Sequence, residues 1–375
     1  MTLRTLDVRA STATTLSASS KEEIAVRPRT LKRSDVGELA GTALSALCLT
    51  WLIYTRLTPL QGGLGFVLVW YLAFLASYWL VVRDQRGRMA ASDRLAAVVI
   101  TTVGVGLLVP LLLVVGYTVF RGYSALRPVF FTRTQATVGP LSGPTEGGGA
   151  HAIVGTLEQV GLAMLVSVPL GLATALYLNE VGGRLARPVR LIVDAMSAIP
   201  SIVAGLFVYA LVVLSLGLGQ SGFAASLALV VLMLPTVTRT TEVVLRLVPG
   251  SLREASLALG ASEWRTAMRV VLPTARTGLV TAVILGIARA VGETAPLLLT
   301  AGGSARMHLN PFSGSQDALP LFVYRLVQFP QPAQIDRAWT GALVLLAVVL
   351  VLFVAARVIG SRGPGGGGRL RRRPR

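Results

Sequence analysis

The chain has 375 residues, of which 53% are hydrophobic and only 14% are charged. Soluble globular domains carry about 25% charged residues, so this composition, with a mean hydropathy of +0.68, argues against a soluble protein. The net charge of +18 could suggest nucleic-acid binding, and the single cysteine excludes a disulfide framework.

Eight apolar runs are long enough for transmembrane helices, which need about 20 residues each. They must be helical, because backbone groups in lipid have no water to pair with. The predicted spans are residues 39–55, 63–82, 95–120, 152–178, 191–214, 222–244, 278–300 and 338–359. The first is the shortest, and without it the N-terminus would lie outside while the main body kept its orientation. The predicted fold class is an all-α integral membrane protein, with an N-terminal two-helix transmembrane hairpin before a six-helix body.

The basic residues orient these spans. With eight spans both termini lie on one side, which holds 26 of the 35 Lys and Arg, while the opposite loops hold 7. This is the positive-inside asymmetry, and it predicts that both termini are cytoplasmic. The basic excess suits contact with anionic membrane lipid, and its distribution argues against a nucleic-acid partner.

Four regions follow along the chain. Residues 1–38 are Ser/Thr-rich and lack the apolar core of a signal peptide, which predicts a disordered cytoplasmic tail. Residues 39–94 form the hairpin and a basic loop, for which passive packing, lipid binding and regulation all remain open. Residues 95–360 form the main body, and residues 361–375 form a basic cytoplasmic tail.

A polar segment on the predicted cytoplasmic side contains signals for two short helices. Ser251 and Glu254 have the spacing of a capping box, which predicts a helix start, and Gly260 predicts its end. Ser262 can cap a second helix, which Pro273 is expected to end or kink. The alternative is an ordinary loop in which Glu254 only caps a helix.

Two Arg–Glu pairs lie inside predicted spans. Arg289 and Glu293 are four residues apart near the middle of span 278–300, and Arg239 and Glu242 are three apart in another span. A charge at the bilayer centre costs about 2.5–3.5 kcal/mol on insertion scales, so these residues are expected to be paired. Because a guanidinium group matches the oxygens of phosphate or sulfate, the four residues are candidates for an anion path. The alternative is a structural clamp between helices.

The stretch REASLALGASEWRTAMRVVLP resembles the EAA motif of bacterial ABC importer permeases. Glu254, Ala255 and Gly260 have the expected spacing, and Ser256 stands where a second alanine is usual. The resemblance implies that segment 250–272 docks on a cytoplasmic ATPase. It also implies that ATP and Mg²⁺ are bound by that partner and that this chain needs no cofactor. The sequence shows no nucleophile constellation, and His151 and His308 lie in predicted outward loops without a partner at metal-ligand spacing. We therefore expect no catalytic residue, no metal site and no enzyme activity in this chain. A Walker A motif is absent from the sequence.

Two shorter stretches narrow the resemblance. ARAVGETAPLL (288–298) and RTTE (239–242) are similar to PstA-type permeases of the bacterial phosphate ABC importer, a likeness that covers about residues 95–360. It implies an ABC importer permease fold for the main body and a place in the bacterial cytoplasmic membrane. It also implies that phosphate passes the matching residues Arg239, Arg289 and Glu293. The N-terminal 94 residues depart from the six-span pattern of that family.

The same resemblance implies three protein partners. They are a second, similar permease (PstC-like), a cytoplasmic ATPase dimer (PstB-like) and an extracytoplasmic phosphate-binding protein (PstS-like). The binding protein is expected to dock on the outward loops 121–150 and 302–337. Three other functions remain open: an importer for another oxyanion such as sulfate or molybdate, a secondary transporter or channel, and a regulatory membrane subunit.

Overall fold

In the computed structural model, residues 33–57, 62–139, 141–143 and 146–361 are described. The expected tails fall largely outside these residues, since 1–32 and 362–375 are not described. The described residues contain fourteen α-helices and no β-strand, which confirms the all-α class. The helices are α1 Arg33–Leu52, α2 Gly63–Arg86, α3 Arg88–Gly122, α4 Pro128–Thr132, α5 Ala150–Leu176, α6 Ala186–Ala198, α7 Ser201–Val208, α8 Gly222–Arg246, α9 Gly250–Ala258, α10 Glu263–Thr266, α11 Leu272–Val291, α12 Ala295–Thr300, α13 Leu319–Leu326 and α14 Pro332–Ser361. Short π-helical turns at Ile53–Leu57, Tyr177–Val181, Tyr209–Ser215 and Ala267–Val271 continue α1, α5, α7 and α10.

Seven helical segments of the described residues are long and apolar enough to cross a membrane, and a bent pair brings the number to eight. The chain is therefore a multi-pass membrane protein. The bent pair is α6 and α7, which meet at 106° where a single span was predicted over residues 191–214. Pro200 causes the break, because it has no amide hydrogen and forces Ile199 into an extended conformation. The residues of the predicted span therefore form two helices rather than one.

The helix that was predicted over residues 278–300 differs at both ends. It begins earlier, since α10, a π-helical turn and α11 run together from Glu263 to Val291. Pro273 does not end a separate cytoplasmic helix as expected, because it occupies the first turn of α11, where proline is tolerated. It also ends earlier, at Val291, and the short helix α12 follows after a break.

The chain divides into two compact units at Pro110. In the first unit, α1 packs antiparallel to α2, and Nε1 of Trp70 donates a hydrogen bond to the carbonyl of Ala43. Four charged side chains pair at one end of this unit: Arg86 with Asp35 and Glu38, and Arg94 with the same two carboxylates.

Helix α8 is the centre of the second unit. Of its apolar membrane-spanning stretch, 61% is buried, against 11–33% for the spans that contain α5, α11 and α14. Close packing on both sides of Val237 explains this burial. A β-carbon added to Gly171 of α5 would lie 2.9 Å from the Val237 side chain, and one added to Gly286 of α11 would lie 2.7 Å from it. Glycine therefore lets three helices approach each other closely.

The apolar stretch LPLFVYRLVQFP (319–330) lies in the loop predicted between the last two spans. Its first half forms α13, and Leu319, Leu321 and Phe322 are buried against the body of the second unit. The start of this stretch is therefore internal, whereas residues 327–330 are exposed.

Candidate functional site

Glu242 accepts hydrogen bonds from three arginines. Its side chain is only 3% exposed, and the donors are Arg246 at 2.6 Å, Arg190 at 2.8 Å and Arg239 at 3.2 Å. A buried carboxylate is costly unless it is paired, and here the pairing is threefold. Arg239 also contacts Asp194, so the predicted pair is part of a five-residue cluster.

This cluster, the α6–α8 cluster, is built by two helices. Arg190 and Asp194 are one turn apart on α6, while Arg239, Glu242 and Arg246 share one face of α8. The cluster fastens the bent α6 to the central helix and carries one more arginine than carboxylate. The sequence reasoning missed Arg190, Asp194 and Arg246, because the arginines were treated as positive-inside loop charges. Arg190 and Asp194 are four residues apart on the amphipathic segment 186–198. That spacing was the sequence signal that could have predicted a helix here with both side chains on one face.

Arg289 and Glu293 are in contact, with 3.6 Å between Nε and Oε1. At that distance the two groups form an ion pair, but they are too far apart for a hydrogen bond. The arginine side chain is 47% exposed and the glutamate 18%. The expectation that both lie inside one continuous helix was wrong, because α11 ends at Val291 and Glu293 lies in the linker before α12. Pro296 explains the break, since it has no amide hydrogen to donate to the carbonyl of Gly292.

The helix register places Arg289 at mid-depth although it is in the last turn of α11. Gly286 packs against Met233 and Val237 of α8, and Gly278 packs against Val244, so the two helices are antiparallel. Arg289 is therefore level with about residue 232, near the middle of α8. At about 1.5 Å per residue, Arg239 lies roughly 10 Å further along α8, toward α9.

The two predicted pairs are therefore separate in depth. Among the described residues, no ion pair joins Arg239 or Glu242 to Arg289 or Glu293. The half-exposed Arg289 is available to a solute, whereas Arg239 is held by two carboxylates.

The predicted coupling segment contains a helix break at the expected glycine. Gly260 follows α9 with φ +82°, a conformation that side chains with a β-carbon rarely adopt. Ser262 caps the next helix by accepting a hydrogen bond from the backbone amide of Arg265 at 3.4 Å. The predicted capping box does not form, because Pro249 is the N-cap residue of α9 and Ser251 lies within the first turn.

Helix α9 and the start of α10 present an exposed surface, which we call the coupling surface. No residue of α9 is buried. Leu259 is 89% exposed and Trp264 is 65% exposed, although both are apolar. Exposed apolar residues grouped beside charged ones are typical of a protein-binding surface. The residues of this surface are Glu254, Ala255, Leu257, Leu259, Gly260 and Trp264.

A buried polar network lies at the opposite end of the second unit. His151 was expected in a loop, but it is buried in the first turn of α5, with Nε2 3.2 Å from Oδ2 of Asp317. Asp317 also pairs with Arg325, and Nε2 of Gln159 donates to Oε1 of Gln316 at 3.1 Å. The network fixes the segment before α13 to α5.

Comparison with known proteins identifies the family. The family model for the binding-protein-dependent transport system inner membrane component matches residues 167–362, slightly more than half of the chain. The phosphate transport system permease protein PstA 1 of Mycobacterium tuberculosis (strain H37Rv) is 45% identical over 254 residues, which are 67% of this chain and 82% of that protein. PstA of Mycobacterium leprae is 44% identical over 66% of this chain and 83% of the relative, and PstA of Xylella fastidiosa (strain 9a5c) is 40% identical over 60% and 78%.

Among solved structures, the MetNI methionine ABC transporter in an inward-facing conformation matches 56% of this chain and 91% of its own, at 23% identity and a TM-score of 0.45. The sequence identity to the PstA relatives is much higher than the identity to this solved structure. The chain therefore belongs to the family of binding-protein-dependent transport system inner membrane components, and is a PstA-type member of it.

Proposed function

We propose that this chain is a membrane permease subunit of an ATP-driven phosphate importer and forms half of the translocation path. The observation that carries the proposal is the 45% identity to a phosphate permease across 82% of that protein. The position of Arg289 supports it, because a half-exposed guanidinium at mid-depth beside a helix break suits an oxyanion.

In this proposal the two charged sites have different tasks. Glu293 lies 3.6 Å from Arg289 and does not make the short hydrogen bond of a strong pair. An arriving phosphate can therefore replace Glu293 as the partner of Arg289. Arg239 is held by Asp194 and Glu242 and acts as the inner gate. Phosphate then meets Arg289 first and the α6–α8 cluster about 10 Å later on its way inward.

The partners follow from the family. A cytoplasmic PstB-like ATPase dimer docks on the coupling surface and supplies ATP and Mg²⁺ chemistry, while this chain is not an enzyme. A PstC-like permease completes the path, and a PstS-like phosphate-binding protein docks on loops 121–150 and 302–337. The chain lies in the bacterial cytoplasmic membrane, with both termini and the coupling surface in the cytoplasm.

Reconstitution tests this proposal directly. The chain, a PstC-like permease, a PstB-like ATPase and a PstS-like binding protein are placed in liposomes, and uptake of radiolabelled phosphate is measured. We expect uptake that needs all four proteins and ATP, and that excess sulfate or molybdate does not compete away. Uptake without the ATPase would favour a secondary transporter, and competition by sulfate or molybdate would favour another oxyanion importer. No transport in the presence of all four proteins, with the complex intact, would contradict the proposal.

A further inference from the structure

Arg253 of α9 makes an unusually large number of contacts for a residue on an exposed helix. Its Nη2 and Nε donate to the two carboxylate oxygens of Glu180 at 2.9 and 3.2 Å. Its Nη2 also donates to the carbonyl of Leu245 at 2.9 Å, and Nη1 donates to the carbonyl of Val248 at 3.1 Å. All three nitrogens of the Arg253 guanidinium therefore donate a hydrogen bond.

These contacts join three elements. Glu180 lies in the π-helical turn that continues α5, and Leu245 lies in the last turn of α8. The last carbonyls of a helix have no partner within the helix. The carbonyl of Leu245 accepts from the backbone amide of Val248 at 3.3 Å, and Arg253 adds a second donor from α9. A bidentate arginine–carboxylate pair also has a defined orientation. Arg253 therefore connects α9 to the ends of the two helices that form the core of the second unit.

Ser256 makes a second connection from the same face of α9. Its Oγ lies 2.8 Å from Oγ1 of Thr266, whose residue is only 3% exposed. Thr266 belongs to the continuous helical segment Glu263–Val291, which carries Arg289 at its far end, 23 residues or about 35 Å away. Alanine at position 256 could not make this hydrogen bond.

We propose that Arg253 and Ser256 are the positioning residues that transmit movement of α9 to the membrane helices. Arg253 passes it to α5 and α8 through Glu180 and the Leu245 carbonyl, and Ser256 passes it to the Arg289-bearing helix through Thr266. The inference rests on the proposed function, in which an ATPase moves the coupling surface. Arg253 and Ser256 face inward from that surface. Binding of the ATPase and transmission of its motion are therefore assigned to different residues of α9.

The test measures phosphate uptake and ATP hydrolysis in the same liposomes, with the whole complex. Arg253→Met removes the guanidinium but keeps the apolar stem, and Arg187→Met is the matched control, because Arg187 is exposed on α6. We expect Arg253→Met to lower the phosphate transported per ATP about tenfold, while the ATPase co-purifies in normal amount. Arg253→Lys should recover part of the ratio, because it restores the charge without the fork, and Arg187→Met should leave the ratio unchanged.

Glu180→Gln weakens the same ion pair from its other partner. It tests the inference even if Arg253→Met fails to fold. The double variant should be no worse than Arg253→Met alone, since that variant already removes the pair with Glu180. Glu180→Gln alone should lose less, because Arg253 keeps its bonds to the carbonyls of Leu245 and Val248. Ser256→Ala and Thr266→Val should behave in the same non-additive way, with a smaller loss. A transporting wild-type complex whose Arg253→Met and Glu180→Gln variants keep the normal ratio would overturn the inference. Loss of transport in the wild-type complex would instead contradict the proposed function.

Discussion

Gly286 of α11 packs directly on Val237 of α8, and this contact sets the depth of Arg289. A β-carbon at position 286 would lie 2.7 Å from Cγ2 of Val237. Real side chains do not approach so closely, so the two helices touch only because residue 286 is glycine. The register at this point puts Arg289 near the middle of α8.

Substituting Gly286 by alanine should therefore destabilise the bundle. The helices must separate, at a cost of about 1–3 kcal/mol for an overpacked core. We expect a lower thermal unfolding temperature of the purified chain and reduced phosphate uptake. Gly161→Ala is the matched control, because a β-carbon at position 161 of α5 meets nothing within 4 Å. Equal stability of the two variants would contradict the packing argument.

Replacing Arg289 by leucine should abolish phosphate uptake and leave the complex assembled. The side chain is about half exposed and makes one loose ion pair, so its loss removes the proposed anion contact at little cost in stability. Arg289→Lys should retain part of the activity, since it keeps the charge without the fork. Arg357→Leu, at an exposed arginine of α14, serves as control. Uptake by Arg289→Leu at the normal rate would rule out the anion-path role.

Replacing Glu242 by glutamine should loosen α6 from α8. Three arginines would then surround a neutral side chain, and because they are partly exposed the cost is about 1–3 kcal/mol rather than the full value for a buried pair. Thermal unfolding of the purified complex measures this loss. Arg246→Met removes only the most exposed donor, 60% exposed, and should cost less than about 1 kcal/mol. The same loss in both variants would show that Glu242 is not the centre of the cluster.

Replacing Gly260 by leucine should detach the ATPase or uncouple it. Open space surrounds this position, so the effect comes from the backbone, where φ +82° disfavours a side chain by about 1–2 kcal/mol. The break between α9 and α10 would shift and alter the coupling surface. Co-purification of the ATPase measures the effect, with Gly250→Ala in the first turn of α9 as control. Unchanged co-purification together with ATP-dependent uptake would reject the docking role.

Much of this molecule is predictable from local sequence. Long apolar runs predict membrane helices because lipid leaves the backbone no other partner, and the residues at Gly260 and Ser262 predict a break and a cap that depend on their own chemistry. The same holds for the contact of Arg289 with Glu293, since residues four apart are close on a helix and stayed close across the break.

The sequence alone therefore determined the all-α membrane class, the family and the four charged residues worth testing. Only the tertiary structure decided where those residues lie and what holds them. One of the three partners of Glu242, Arg190, comes from α6 and lies 52 residues earlier in the chain. Glu180, the carboxylate partner of Arg253, is 73 residues away from it. Helix periodicity specifies which residues share a face, but the pairing of faces depends on close contacts such as Gly286 with Val237. Those contacts form only when the whole bundle packs.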